Sequence, residues 1–130
     1  MYYVVRNTGY ILKDWITQLR KGLLELCVLN LLAHGEAYGY DIAQRLKALD
    51  ILAVTESTLY PILARLLEEN LLTVRTVTSS DGPPRRYFSL TSAGRERLAE
   101  MNAYWENLHS VIACLQKGEL GQGENNGSLT

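Results

Sequence analysis

The sequence predicts a mainly α-helical fold carrying one small β-hairpin. Two observations lead there. Apolar residues recur at helical spacing in four separate stretches. Between the third and fourth, in LLTVRTVTSSDGPPRRYFSLT, the pattern changes to Val, Thr, Tyr and Phe on both sides of a Gly-Pro turn. The order is helix, helix, helix, hairpin, long helix, with no internal repeat. With 130 residues, 47% of them hydrophobic, the chain suits one globular domain with a single core.

Residues 1–13, MYYVVRNTGYILK, read as an arm or an extension of the first helix. That helix is expected from Asp14 to His34, with Gly35 as the residue that ends it. Its second half is apolar nearly all round, which suits a helix buried on more than one side, partly by a partner subunit. The run from Leu23 to Ala33 is broken by Glu25 and Asn30 and is too short to span a bilayer, which takes about 20 residues. No basic region followed by an apolar one opens the chain, so no secretory signal or membrane association is expected. Cys27 and Cys114 are far apart and form no CxxC pair; two free thiols in a reducing cytoplasm are expected.

In AYGYDIAQRLKALD, Ile42, Leu46 and Leu49 mark one face of a short second helix. The third, in TESTLYPILARLLEEN, has Thr55 as N-cap and Asn70 as a left-handed C-terminal residue. Strands follow at roughly 72–78 and 85–90, and Pro83 and Pro84 are expected to stiffen the joining loop and stay out of the ladder. Thr91 caps a last helix from Ser92 to Lys117, and the remainder, GELGQGENNGSLT, is polar and Gly-rich.

The third helix contains a proline, Pro61, in a position that normally removes a backbone hydrogen bond and strains the turn. With Leu59, Leu63 and Leu66 turned inward, the opposite face carries Ser57, Pro61, Ala64, Arg65 and Glu68, with Tyr60 at its border. This face is small and polar. It can approach base edges in a major groove, while the helix N-terminus favours a phosphate. An ordinary solvated face with a tolerated kink fits equally well until the hairpin is added. There Arg85 and Arg86 stand beside a stiff turn, with Arg75 on the partner strand, suited to straddling a duplex backbone. The formal net charge is -1, so attraction to nucleic acid must come from such a local face.

In the last helix Leu98, Met101, Trp105, Leu108, Ile112 and Leu115 are spaced 3, 4, 3, 4, 3, a seam suited to a dimer beside the apolar first helix. A tryptophan on such a seam faces its symmetry mate. Trp105, with Trp15, is therefore a candidate slot for a planar aromatic effector, the plainer reading being closed core. His34 and His109 are the only histidines, and no metal-ligand cluster, Gly-rich phosphate loop or nucleophile–base pair occurs. No catalytic residues, metal or cofactor are expected.

LRKGLLELCVLNLLAHGEAYGYDIAQRL, then TLYPILARLLEENLL, then PPRRYFSLTSAGRERL, in this order, resemble the PadR-like transcriptional regulators, over about residues 19–105. The resemblance implies a winged helix-turn-helix with a C-terminal dimerisation helix, of the branch with one short such helix, binding operator DNA and usually repressing. It points to Tyr40, Ser57, Thr58, Tyr60, Pro61 and Arg65 on the helices, and to Arg85 and Arg86 in the wing, as DNA contacts. Two residues depart from the family pattern: Ser57 and Asn70 each stand where glycine is usual. The division that follows is an arm at 1–13, a winged helix-turn-helix at 14–90, a dimerisation helix at 91–117 and a flexible tail at 118–130. The expected function is a cytoplasmic, homodimeric, ligand-responsive repressor on a palindromic operator. The alternative is a winged-helix module that docks a partner helix without binding DNA.

Overall fold

The computed structural model describes residues 12–119. Helix α1 spans Leu12–Leu32 and is followed by a two-residue strand, β1, Ala37–Tyr38. Next come α2, Gly39–Lys47, a single 3-10 turn, Asp50–Leu52, and α3, Glu56–Glu68. Strands β2, Leu72–Ser79, and β3, Gly82–Leu90, form the hairpin, and α4 runs Ser92–Lys117. The sheet is antiparallel in the order β1-β3-β2. This is the expected winged-helix class: four helices and a small sheet.

The core follows the helical periodicity. Leu24, Val28, Leu29 and Leu32 of α1 meet Ile42 and Leu46 of α2, Leu59, Leu63 and Leu66 of α3, and Phe88 and Leu90 of the hairpin. Leu49, expected to extend the α2 face, instead lies beyond the helix end and is exposed. Gly35 has φ of 137°, a value that side chains with a Cβ rarely adopt, and it closes the turn after α1. Asn70 takes φ of 62° at the end of α3, as its residue type suggests. Most of the 1–13 arm and the 118–130 tail lie outside the described residues; Leu12 and Lys13 are already helical.

Two local expectations are corrected. Pro83 and Pro84 are within β3 and not in a loop, although they do stay out of the ladder. Val77 pairs with Arg85 and Ser79 with Gly82, so the two prolines stand opposite the single residue Thr78. A bulge of this kind leaves residues outside the regular ladder, which is where a missing N–H does least harm. Thr55 is the N-cap of α3 by backbone, but its side chain makes no cap hydrogen bond; its Oγ1 lies 2.9 Å from Thr58 Oγ1 and 3.2 Å from Ser57 Oγ.

The junction between hairpin and α4 is tightly determined. Thr91 Oγ1 accepts from the Gly94 N–H at 2.9 Å and donates to the Asn70 carbonyl at 2.7 Å, while the Thr91 N–H bonds to the Leu71 carbonyl at 3.1 Å. Gly94 is buried, and a Cβ there would run into the Leu71 carbonyl oxygen. One threonine thus caps α4 and ties it to the end of α3. Farther along, Asn30 of α1 and Asn102 of α4 exchange two amide hydrogen bonds, each of 3.0 Å.

Candidate nucleic-acid interface

Helix α3 turns Leu59, Leu63 and Leu66 into the core and leaves Ser57, Thr58, Tyr60, Pro61 and Ala64 outward. Pro61 is the sixth helical residue, so the N–H it lacks is the one that would reach the Ser57 carbonyl. At the head of the helix the hydroxyls of Thr55, Ser57 and Thr58 form one exposed group.

The wing supplies the second wall. Residues opposite each other in an antiparallel ladder share a face, and residues two apart along a strand do likewise. Tyr38 pairs with Tyr87, and Tyr87 with Arg75, so these three lie on one face. The Tyr38 and Tyr87 rings are 5.7 Å apart, and the Arg75 guanidinium lies 5.0 Å from the Tyr87 ring. Arg85 joins the same face, 5.1 Å from the Tyr38 ring. Arg86 lies on the other face, 5.3 Å from the Phe88 ring. There it lines a cleft of about 270 Å³ with Gly39, Tyr40, Tyr60 and Pro84. The adjacent arginines therefore flank the wing from opposite sides. Neither has a carboxylate partner among the described residues.

Arg75 differs. Glu36, just before β1, accepts from its Nε and Nη2, the shortest contact being 2.6 Å. The Arg75 hydrogen bonds hold the Glu36 carboxyl below the ordinary carboxylate range. An arginine so engaged is an anchor for the wing, not the free cation that its place on the hairpin suggests. Tyr60 is pushed above the ordinary phenol value, chiefly by burial, then by Glu56 and the neighbouring tyrosines, and so stays a neutral hydroxyl.

The structure thus gathers Tyr40, Tyr60 and Arg86 around one cleft, with Ser57, Thr58 and Pro61 along the adjoining helix face. It turns Arg65 away, toward Glu25 of α1 at 2.8 Å and Glu69 at 3.5 Å. Sequence reasoning missed Tyr38, Tyr87 and Glu36. The strand that Glu36 precedes and Tyr38 ends is only two residues long, too short for a period to mark it.

On the other side of the molecule a groove of about 370 Å³ opens between α1 and α4, walled by Leu23, Leu26, Met101, Trp105 and Leu108 among others. Trp105 faces this groove. Trp15 is not one of its walls and is 52% exposed. The seam of α4 is not uniform: Leu98 is buried in the chain's own core, Met101 packs against that core, and Leu108, Ile112 and Leu115 are exposed.

A family model described as "Transcriptional regulator PadR-like family" matches residues 28–100. The chain belongs to this PadR-like family. It is similar to the solved structure of a PadR-like transcription factor from Bacteroides fragilis, with 41% identity, a TM-score of 0.67, and coverage of 78% of this chain and 98% of that one. It is 31% identical over 99 residues to the negative transcriptional regulator PadR of Bacillus subtilis, covering 75% of this chain but only 52% of that protein. The crystal structure of Bacillus subtilis PadR in complex with operator DNA is also similar, at 30% identity and a TM-score of 0.57 over 61% of this chain and 46% of that one. PadR-like chains are transcriptional regulators, and the cleft and helix face described above lie on the winged-helix part of this one. Among its described residues no helix is long and apolar enough to cross a membrane.

Proposed function

We propose that this chain is a cytoplasmic, homodimeric repressor that binds a palindromic operator. The observation that carries the reading is the outward face of α3 set beside a wing on which Arg85 and Arg86 have no carboxylate partner among the described residues. Ser57, Thr58, Tyr60 and Pro61 enter a major groove, while Tyr40, Arg85 and Arg86 hold the flanking backbone. Residues 14–90 serve as the DNA-binding part and 91–117 as the dimerisation helix. The exposed stripe of Leu108, Ile112 and Leu115, with Trp15 and Leu19 of α1, supports the dimer: such a row of large apolar side chains on a small chain marks an interface. A two-fold dimer sets the two α3 helices about 34 Å apart, one turn of DNA. The groove beside Trp105 takes a planar aromatic effector, which alters that spacing and lowers operator affinity.

A footprint on the DNA upstream of its own reading frame, repeated across salt concentrations, tests the reading. Protection of two symmetric half-sites, with affinity falling steeply as salt rises, is the expected result. Affinity insensitive to salt would leave the stripe on α4 as a dock for a partner helix and the wing without a nucleic-acid role.

A further inference from the structure

The apolar run of α1 from Leu23 to Ala33 contains two polar residues, Glu25 and Asn30. Each is bonded across to a different helix. Asn30 pairs with Asn102 of α4, and Glu25 pairs with Arg65 of α3. Arg65 Nη2 donates to Glu25 Oε1 at 2.8 Å, and its Nη1 lies 3.5 Å from Glu69 Oε2. The Glu25 side chain is only 20% exposed, against 45% for Arg65.

The geometry points to Glu25–Arg65 as the tie that sets the recognition helix on α1, with Arg65 a positioning residue and not a phosphate contact. This rests on the DNA-binding reading above. Three considerations support it. A half-buried carboxylate in an apolar run is costly unless a charged donor meets it, and Arg65 is the donor that does. A guanidinium between two carboxylates carries little net positive charge toward a phosphate. Leucine contacts alone tolerate rotation of one helix on another, whereas a charge-assisted hydrogen bond is directional. Because Leu23 and Leu26, on either side of Glu25, wall the α1–α4 groove, a shift of α1 there reaches α3 through this bond.

Glu25→Gln separates the two roles, because it breaks the ion pair while keeping every cation. As a tie, its loss should lower operator affinity about five- to tenfold, leaving non-specific binding and the salt slope at wild-type values. Arg65→Gln should weaken operator binding without changing that slope, and adding Glu25→Gln to it should recover part of the loss, since two amides can pair. If Arg65 holds a phosphate, Glu25→Gln leaves affinity unchanged or raised, Arg65→Gln flattens the slope by about 1 unit, and the double variant recovers nothing. Those results would overturn the proposal. Hydrogen exchange of α3 without DNA is the independent arm: faster exchange in Glu25→Gln supports the tie and unchanged exchange refutes it, even were the wild type found not to bind an operator.

Discussion

The two outer sides of this chain are finished differently. On the side of α3 and the wing, what reaches the surface is hydroxyl, phenol and guanidinium: Ser57, Thr58, Tyr60, Arg85 and Arg86. On the side of α1 and α4 it is Trp15, Leu19, Leu108, Ile112 and Leu115, the last 59% exposed. Water solvates the first set well, so that side is stable unbound and awaits a ligand of opposite charge. The second set leaves apolar area in water at about 25 cal/mol per Å², so that side gains by being covered. One chain completes its first surface and not its second.

If the two sides depend on one joint, breaking the joint should end both. Gly94→Ala forces a Cβ against the Leu71 carbonyl, where backbone cannot yield as a side chain does. We expect a loss of about 3 kcal/mol in urea denaturation, with operator binding and self-association lost together. Retention of either one alone would show that the sides fold independently.

Leu108→Asp with Ile112→Asp attacks only the apolar side. Sedimentation should show folded monomers, and operator affinity should fall at least about a hundredfold through lost bivalency. A monomeric wild type would rule the dimer out. Arg85→Ala with Arg86→Ala attacks only the other side. The salt slope should flatten by roughly 1–2 units on all DNA sequences, with the oligomeric state unchanged. Because the two arginines flank opposite faces of the wing, each single variant should account for about half of the change.

The smallest effect concerns the anchor of the wing. Arg75 depresses the Glu36 pKa in the folded chain below its ordinary 4.5. The stability this contributes is present above 4.5 and is lost as pH falls through the folded value. Melting temperatures followed from neutral pH down through the folded Glu36 value should therefore converge for wild type and Glu36→Gln. A constant gap would mean that Glu36 stabilises by shape alone.

What could be read from the sequence was what depends on near neighbours. The 3, 4 spacing and Thr91 placed α4 at Ser92–Lys117, and the switch to Val, Thr and Tyr placed the hairpin. Pro83 and Pro84 misled because their effect depends on register: opposite a single residue of β2 they are tolerated inside a strand. Strand β1 has two residues and therefore no period to detect. The partners of charged residues were hidden for a different reason. Glu25 lies 40 positions from Arg65 and Glu36 lies 39 from Arg75, and no local rule selects among the carboxylates within reach. In the sequence Arg65 and Arg75 thus look no different from Arg85 and Arg86; the fold shows that the first two are paired with carboxylates.

The reciprocal amides of Asn30 and Asn102 have a mechanical consequence. Leucines in their place would let α4 slip along α1 and still be covered. Two amides that each give and take one hydrogen bond match at a single axial setting, and a slip of one turn, about 5.4 Å, strands both. The last helix is therefore indexed like a shaft with a key. Between the wing junction at Thr91 and the amide pair at Asn102, α4 is held at one axial setting on α1.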